Sequence, residues 1–288
     1  MVDTEKILIA GCGYVGSALA AGLIEAGHTV FALSRKRRAL AGATPVCADL
    51  LDPETLTALP PGIDVVFYTA AASGAYDERS YRRIYVDGMS NLLEALASRS
   101  SKCRRVLFTS STGVYGQNEG EEVDERSTTA PGSFSGKIML EAEARLRSSA
   151  FPCTILRLGG IYGPGRNRLI DTVARGDAQQ AEATFTNRIH RDDAAGILAH
   201  LMALDQPEPI YLGVDCAPAK KIDVLGFIAD TLGVPRPAPA DAAPSTRGGN
   251  KRCSNRLLLR SGYRFTYPTF AEGYAEMIGD YDKLKINP

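Results

Sequence analysis

Short runs of consecutive apolar residues recur along the first 160 residues of the chain and predict buried strands. Six runs have this character, namely residues 7–10, 29–33, 45–48, 65–69, 106–110 and 154–158. Strands that are apolar on both faces are typical of a parallel sheet covered by helices on each side. Segments with helical spacing lie between the runs, notably 85–98 and 136–148. The pattern therefore predicts an α/β fold of the Rossmann type, a doubly wound parallel sheet.

The pattern changes after Gly163-Pro164-Gly165, where the alternation of strands and helices ends. Further helices are predicted at 192–204, 221–232 and around 270–278, a short strand at 210–213, and a mobile loop at 235–244. We therefore predict two domains. Residues 1–165 form the nucleotide-binding domain, to which 187–206 return, and residues 166–186 and 207–288 form a smaller C-terminal substrate lobe and tail.

The amino-acid composition speaks against several classes of function but does not indicate a particular one. The 288 residues are 44% hydrophobic and carry 33 acidic and 33 basic side chains, so no overall field recruits nucleic acid or an anionic membrane. The six cysteines are scattered without a Cys-x-x-Cys pair, and we expect neither a metal site nor disulfides. No run of 18 apolar residues occurs, and the first residues lack a signal-peptide pattern. We expect a cytoplasmic protein that does not bind membranes.

The turn after the first predicted strand carries glycine at three spaced positions, Gly11, Gly13 and Gly16. In a strand–turn–helix context, the first glycine forms the tight turn and the second admits a pyrophosphate close to the backbone. The third allows the helix to pack on the sheet. We predict that this loop, with Tyr14 and Val15 in the first helical turn, binds a dinucleotide at the helix N-terminus.

The residues after the second predicted strand indicate which dinucleotide binds. An acidic residue here would hold a ribose 2′-hydroxyl, whereas an arginine accommodates a 2′-phosphate. The chain has Ser34 followed by four consecutive cations that begin with Arg35. A guanidinium suits a phosphate dianion. We predict NADP in preference to NAD, with Arg35 as the main contact and Ser34 beside it.

Several segments in the same order resemble the extended and atypical short-chain dehydrogenase/reductase family, the NAD(P)-dependent epimerase/dehydratase group. They are Gly11-Cys-Gly-Tyr-Val-Gly16, Cys47-Ala-Asp49-Leu50, Tyr68-Thr-Ala-Ala71, Phe108-Thr-Ser-Ser-Thr-Gly-Val-Tyr-Gly116, Leu156-Arg-Leu-Gly-Gly-Ile-Tyr-Gly-Pro-Gly165 and Ile189-His-Arg-Asp-Asp193. The resemblance covers nearly the whole chain. It implies that Asp49 and Leu50 contact adenine, that Thr69, Ala70 and Ala71 line the pyrophosphate and nicotinamide ribose, and that Ser111 is the active-site hydroxyl.

The chain departs from the resemblance at the acid–base pair, Tyr-x-x-x-Lys, that the family carries one helical turn apart. Alignment on Leu140-Glu-Ala-Glu143 places Ser135 at the tyrosine and Met139 at the lysine. Alignment on Lys137 places Ser133 at the tyrosine. Neither register recovers the pair. As replacements we consider Tyr85 for the phenol and Lys137 for the cation.

The remaining candidates concern the substrate. Thr112 and Tyr115 are candidate substrate contacts; Tyr115 lies in a segment that borders the cleft in the family and is alternatively a packing residue. Arg188 and Arg252 are candidate anchors for an anionic substrate or ordinary surface cations. His190 is expected to be structural, because the family uses its segment to return the chain between the two lobes.

Two functional hypotheses remain open. The first is an NADP-dependent epimerase/dehydratase-like or reductase-like enzyme acting on a sugar nucleotide or another carbonyl or hydroxyl compound, with Ser111 polarising the substrate oxygen. The second is a non-catalytic NADP-binding redox sensor. The family often forms homodimers through a four-helix contact, which here would use the helices near 85–98 and 136–148.

Overall fold

The computed structural model describes residues 4–36, 39–99, 102–178, 184–238 and 249–286. The strands are β1 Lys6–Ala10, β2 Thr29–Ser34, β3 Thr44–Cys47, β4 Val65–Tyr68, β5 Arg105–Ser111, β6 Glu121–Val123, β7 Cys153–Leu158, β8 Gly160–Tyr162, β9 Phe185–Thr186, β10 Arg188–His190, β11 Ile210–Gly213, β12 Ala219–Lys220 and β13 Lys251–Cys253. The α-helices are α1 Tyr14–Glu25, α2 Glu78–Arg82, α3 Gly88–Ser98, α4 Phe134–Arg147, α5 Arg168–Ala174, α6 Arg191–Ala203, α7 Lys221–Leu232, α8 Arg256–Arg260 and α9 Phe270–Ile286. A π-helical turn, Arg83–Asp87, joins α2 to α3.

Seven strands form the central parallel sheet in the order β11-β7-β5-β4-β1-β2-β3. All six predicted apolar runs and the predicted strand at 210–213 belong to it, so the Rossmann-type prediction is confirmed. The chain runs outward from β1 to β3 and then returns to β4 on the other side of β1. The ends of β1 and β4 therefore mark the point where strand order reverses, which is where ligands bind in such sheets.

The chain forms two compact units, each built from separated segments. The first comprises Met1–Val114, Pro131–Arg157 and Ala195–Tyr211, and the second Tyr115–Ala130, Leu158–Ala194 and Leu212–Pro288. The predicted domains, divided near residue 165 with 187–206 returning to the first, stay a prediction.

The second unit has its own core and three small ladders. Helices α5, α7 and α9 enclose buried residues that include Ile170, Val224 and Met277. Strand β8 pairs with β10, β9 with β12, and β6 with β13. These strands of two or three residues are too short to give an apolar period in the sequence. Most of the predicted mobile loop at 235–244 lies outside the described residues.

A buried ion pair fixes α4 to the sheet in the first unit. The guanidinium of Arg157 on β7 donates to both carboxylate oxygens of Glu143 on α4, at 3.0 and 2.7 Å. The hydroxyl of Ser110 on β5 donates to the same carboxylate at 2.5 Å. Both charged side chains are almost fully buried. Helix α4 is thereby tied to two neighbouring strands by charge-assisted hydrogen bonds.

A second buried arginine closes the end of α6. Arg105 on β5 donates from Nη1 to the carbonyl oxygens of Leu201, Met202 and Leu204 at 3.1, 3.1 and 2.7 Å. Its Nη2 donates to the carbonyl oxygen of Asp205 at 3.0 Å. The carbonyls of a helix C-terminus have no partners within the helix, and the guanidinium supplies them.

Candidate functional site

The loop between β1 and α1 turns tightly because Gly11 adopts a left-handed conformation. Its φ is +90°. The Gly11 N–H donates to the carbonyl oxygen of Leu33 at 3.1 Å, and the Gly13 N–H donates to the Gly11 carbonyl oxygen at 2.7 Å. The turn is thus hydrogen-bonded both to the neighbouring strand β2 and within itself. This ordered turn leads directly into helix α1.

Two of the glycines are required by the space that the loop leaves. A Cβ on Gly11 would lie 2.3 Å from the Cα of Ala70, and one on Gly16 would lie 2.7 Å from Thr69 Oγ1. The Thr69 hydroxyl donates to the Gly11 carbonyl oxygen at 2.9 Å. The loop after β1 and the segment after β4 therefore pack backbone to backbone, as the sequence motif predicts.

The remaining glycine of the motif, Gly13, borders open space. A Cβ on Gly13 would meet only the Gly11 carbonyl oxygen, at 3.9 Å. Gly13 is the N-cap of α1, so no side chain caps the helix, and the first turn holds no acidic residue. Tyr14 and Val15 belong to this turn. An open, uncapped helix N-terminus is suited to a phosphate group, so the loop fits a dinucleotide.

The residues expected to choose the cofactor lie at the end of β2. Arg35 is exposed, and the Ser34 hydroxyl donates to the carbonyl oxygen of Lys36 at 2.8 Å. The rest of the basic run, Arg37 and Arg38, lies outside the described residues. The preference for NADP stays a prediction.

The predicted adenine contacts follow β3 and are held by hydrogen bonds. Asp49 Oδ1 accepts the backbone N–H of Leu51 at 3.0 Å, and the Asp49 N–H donates to Thr55 Oγ1 at 2.9 Å. The Asn91 side chain donates to the Leu50 carbonyl oxygen at 2.8 Å. Asp49 is half-buried and Leu50 buried, so the segment is fixed before any ligand arrives.

Ser111 ends β5, the strand beside β4 in the sheet. Its Oγ accepts the Gly113 N–H at 3.0 Å. That bond leaves the hydroxyl proton for donation to another oxygen, which is the role expected of an active-site hydroxyl. The following Thr112 is buried in a short turn. Two of the residues that the resemblance places beside the pyrophosphate and nicotinamide ribose are Ala70, which is half-buried, and Ala71, which is exposed.

The start of α4 holds the residues that the two sequence alignments place at the family's acid–base pair. Ser133 is the N-cap and accepts the Gly136 N–H at 3.1 Å. Met139 is buried one turn beyond the half-buried Ser135. Lys137 is exposed, and two residues along a helix correspond to about 200° around its axis. The structure therefore does not bring Lys137 to the face that carries Ser135, and its catalytic role stays a prediction.

Tyr85 lies in the π-helical turn before α3. The Tyr68 hydroxyl donates to the carbonyl oxygen of Ile84 in that turn. π-Turns of this kind are frequent at functional sites. Burial raises the pKa of Tyr85 to about 12, with a smaller contribution from Tyr81. A phenol with so high a pKa stays protonated at neutral pH and is a weak proton donor, and the assignment of Tyr85 stays a prediction.

Tyr115, Arg188 and Arg252 all belong to the second unit. The buried Lys251 donates from Nζ to the Tyr115 carbonyl oxygen at 3.2 Å, and Arg252 donates to the Gly120 carbonyl oxygen at 2.9 Å. Arg188 is buried beside Asp215, whose pKa burial raises to about 7 while Arg188 opposes the rise. The three residues are held by different elements, and their substrate roles stay predictions.

His190 is buried in the second unit. It is buried between the rings of Tyr162 and Tyr267, with centroid distances of 5.3 and 3.8 Å. Its Nδ1 accepts the Asp192 N–H at 3.3 Å, and burial lowers its pKa. The imidazole is thus hydrogen-bonded and packed against two aromatic rings, and its structural role stays a prediction.

Sequence reasoning missed one residue of this region, Tyr76. Its hydroxyl lies 2.7 Å from Ser135 Oγ, which in turn lies 3.2 Å from Ser133 Oγ. The contact joins the segment after β4 to the start of α4 across 59 positions of the chain. A tyrosine in a loop gives no periodic signal, so the pattern along the chain could not reveal this pairing.

Two absences hold for the described part of the chain. No helix there has the length and apolar character needed to cross a membrane. Nor does that part contain a cluster of three or more histidine, cysteine or acidic side chains placed to hold a metal ion.

The chain is similar to proteins described as nucleotide-dependent enzymes. The sequence model of the NAD dependent epimerase/dehydratase family matches residues 7–206. A solved structure from Methylobacillus flagellatus, described as an NAD-dependent epimerase/dehydratase, is 40% identical, with a TM-score of 0.83 over 97% of this chain and 100% of the other.

Two relatives known by sequence are also similar. Protein YeeZ of Escherichia coli strain K12 is 29% identical over 92% of this chain and 97% of its own length. A 2-alkyl-3-oxoalkanoate reductase of Stenotrophomonas maltophilia is 29% identical over 74% of this chain and 68% of its own.

Proposed function

Because the chain belongs to the NAD-dependent epimerase/dehydratase family, we propose that it is an enzyme that reduces a carbonyl group with NADP preferred to NAD. The observation that carries this proposal is the glycine loop at the reversal of strand order. Gly11 and Gly16 have no room for a side chain, and Gly13 leaves the N-terminus of α1 open. When bound, the reduced nicotinamide supplies a hydride to the carbonyl carbon.

Ser111 supports the same proposal from the neighbouring strand. Its Oγ is oriented by the Gly113 N–H, so its hydroxyl can donate to a substrate oxygen while the negative charge on that oxygen grows. The substrate is a carbonyl or hydroxyl compound. The similarity to a 2-alkyl-3-oxoalkanoate reductase favours a 3-oxo compound, and a nucleotide sugar is the other class to be tested.

The first experiment titrates the purified protein with NADP and NAD, in oxidised and reduced forms. We expect tighter binding of NADP. Arg35→Ala should lower the affinity for NADP by about 1–3 kcal/mol, the range for hydrogen bonds to a charged group, and leave NAD nearly unchanged. Lys36→Ala is the matched control, because Lys36 is also exposed and basic. Equal affinities of the wild type for the two cofactors would contradict the preference.

The second experiment measures NADPH oxidation with 3-oxo acids, other ketones and nucleotide sugars. Product analysis accompanies the absorbance, because an epimerisation returns the cofactor to its starting state. Ser111→Ala should lower kcat by about 10²–10³, the usual effect of removing a donor to a developing oxyanion, with cofactor affinity retained. Unchanged turnover in Ser111→Ala would reject the role of this hydroxyl.

A second function, a non-catalytic redox sensor, is favoured by one observation. In one alignment Ser135 and Met139 stand at the family's acid–base pair, and in the other Ser133 stands at its tyrosine, so that neither alignment supplies a phenol. The sensor predicts that NADP and NADPH bind with different affinities, and that no compound of either class is converted. Detection of a product that disappears in Ser111→Ala would exclude it.

A further inference from the structure

We propose that Tyr76, held by the hydroxyl groups of Ser135 and Ser133, is the catalytic residue that exchanges a proton with the substrate oxygen. This inference rests on the proposed reduction of a carbonyl group. It is carried by one juxtaposition, the 2.7 Å contact between the Tyr76 hydroxyl and Ser135 Oγ.

The backbone places Tyr76 at the carboxyl edge of the sheet. The segment 69–76 leaves β4 directly after the residues that pack on the glycine loop. Ser135 lies one residue before Gly136, where a Cβ would approach the Gly113 carbonyl oxygen to 2.5 Å. Gly113 is the residue that orients Ser111. The start of α4 and the turn after β5 are thus in direct contact, and Tyr76 is hydrogen-bonded to Ser135, the residue before Gly136.

The ring of Tyr76 is held while part of it faces solvent. Its centroid lies 4.7 Å from that of Phe134 and 5.3 Å from that of Tyr81, and the Tyr81 ring in turn packs on Tyr85. Tyr76 nevertheless remains 39% exposed. Aromatic packing of this kind fixes a ring with little loss of further side-chain entropy. The hydroxyl therefore has a defined position that a substrate can reach.

The hydroxyl chain allows proton donation from Ser133 toward Tyr76. Ser133 Oγ accepts the Gly136 N–H, so the Ser133 proton can be donated to Ser135 Oγ at 3.2 Å. Ser135 can then donate to Tyr76 Oη. In this arrangement Ser135 is a positioning residue that stabilises negative charge on the phenol oxygen, and the phenolic proton of Tyr76 is directed to the substrate.

The step balances with the reduced nicotinamide as the hydride donor and solvent water as the final source of the proton. As the carbonyl carbon gains hydride and its two electrons, the C=O π bond breaks and its electron pair moves to oxygen. That oxygen takes the proton of the Tyr76 hydroxyl. The phenolate recovers a proton from Ser135, Ser135 recovers one from Ser133, and Ser133 recovers one from water. In the oxidation of an alcohol the same protons move in the reverse direction.

Activity provides the first test. Tyr76→Phe keeps the ring and removes the hydroxyl, and we expect kcat to fall about 10²–10⁴-fold, the usual contribution of a general acid. The matched control is Tyr81→Phe, which removes a hydroxyl from the same aromatic cluster and should retain activity. Ser135→Ala should lower kcat about tenfold with KM little changed, and Ser135→Thr, which keeps a hydroxyl, should restore it. Equal losses in Tyr76→Phe and Tyr81→Phe would overturn the assignment.

The second test does not depend on turnover. The protein is labelled with 3-fluorotyrosine, and the ¹⁹F signal of Tyr76 is identified by its loss in Tyr76→Phe. Oxidised and reduced cofactors differ in the charge of the nicotinamide ring, so a residue at the reaction centre should give different shifts with NADP and NADPH. Tyr211, a buried residue on the edge strand β11, serves as the control signal and should not distinguish them.

The outcomes separate the two proposals. If neither cofactor binds, the proposed function is wrong, and the assignment of Tyr76 falls with it. If both bind and the Tyr76 signal is the same with each, Tyr76 lies away from the reaction centre, and only the present inference is overturned. A signal that distinguishes the cofactors, together with the loss of activity in Tyr76→Phe, supports both.

Discussion

Two helices of the first unit begin at the same edge of the sheet, and their first turns are built in opposite ways. Helix α1 has Gly13 as its N-cap, which has no side chain, and a Cβ at Gly13 would point into open space. Helix α4 begins at Ser133, whose hydroxyl accepts the Gly136 N–H at 3.1 Å. Both helices connect strands of the central sheet, α1 between β1 and β2 and α4 between β5 and β7, yet only the first leaves its N–H groups for a ligand.

The difference separates a helix N-terminus that is suited to bind an anion, that of α1, from one that is capped within the protein, that of α4. A free helix N-terminus attracts an anion because its N–H groups have no partner within the helix. A side-chain cap supplies that partner from within the protein. We therefore expect substitutions at the start of α1 to act mainly on cofactor affinity, and those on α4 to act on stability or on proton transfer.

The largest expected effect concerns the anchor of α4. Glu143→Ala leaves the buried Arg157 guanidinium without its partner, which typically costs about 3–5 kcal/mol. Chemical denaturation should show this loss of unfolding free energy in the presence and absence of NADP alike, if α4 is a scaffold. The double variant Glu143→Leu with Arg157→Met removes both charges and should recover most of the loss. A loss confined to the cofactor-bound protein would contradict the comparison.

The next effect is at the first glycine of α1. Gly11→Ala requires a left-handed alanine, about 1–2 kcal/mol, and overlap with the Ala70 backbone, about 1–3 kcal/mol. We expect lower thermal stability together with loss of measurable cofactor binding. Gly22→Ala is the control, because Gly22 lies in an exposed turn of α1 with no atom within 4 Å of its Cβ position. That variant should gain up to about 1 kcal/mol from helix propensity.

The third effect separates binding from stability. Gly13→Ala introduces a Cβ into open space, so the melting temperature should change by no more than about 2 °C. The same methyl group would stand where a pyrophosphate approaches the backbone, and we expect at least a tenfold rise in the Kd for NADP, about 1.4 kcal/mol. Isothermal titration measures the affinity. An unchanged Kd would show that the open space at α1 is not the phosphate site.

The smallest effect tests the cap of α4. Ser133→Ala removes the acceptor for the Gly136 N–H and should cost about 1 kcal/mol of unfolding free energy, whereas Ser133→Gly should cost a few tenths. Cofactor affinity should be unchanged in both variants, in contrast to Gly13→Ala. If Ser133→Ala weakens NADP binding tenfold, the start of α4 takes part in the cofactor site, and the distinction between the two helices fails.

The fold was predictable from the sequence because its signals are local. Continuous apolar runs indicated six strands of the central sheet, the seventh was predicted as a short strand at 210–213, and the glycine spacing indicated the loop at Gly11. The small ladders of the second unit were not predictable, since strands such as β12 have two residues.

The site was predictable only where one segment builds it. The glycine loop and the strand-end position of Ser111 each depend on a few consecutive residues. The contact between Tyr76 and Ser135 depends on how two strands and a helix meet, and no spacing in the sequence encodes it. The pair of Arg157 with Glu143 was missed for the same reason, although both residues lie in predicted elements.

The buried Arg105 has a consequence for how the chain is made. Its acceptors are the carbonyl oxygens of residues 201–205, about a hundred positions later, and the edge strand β11 follows them. During synthesis on the ribosome, the Arg105 guanidinium has none of these acceptors until α6 emerges. Burial of β5 before that point would bury an unpaired charge, which is strongly unfavourable. The first unit therefore cannot complete its folding until residues 195–211 have been synthesised. A chain cut after residue 165, although it holds the whole glycine loop, should accumulate as an aggregating intermediate with an uncovered sheet edge.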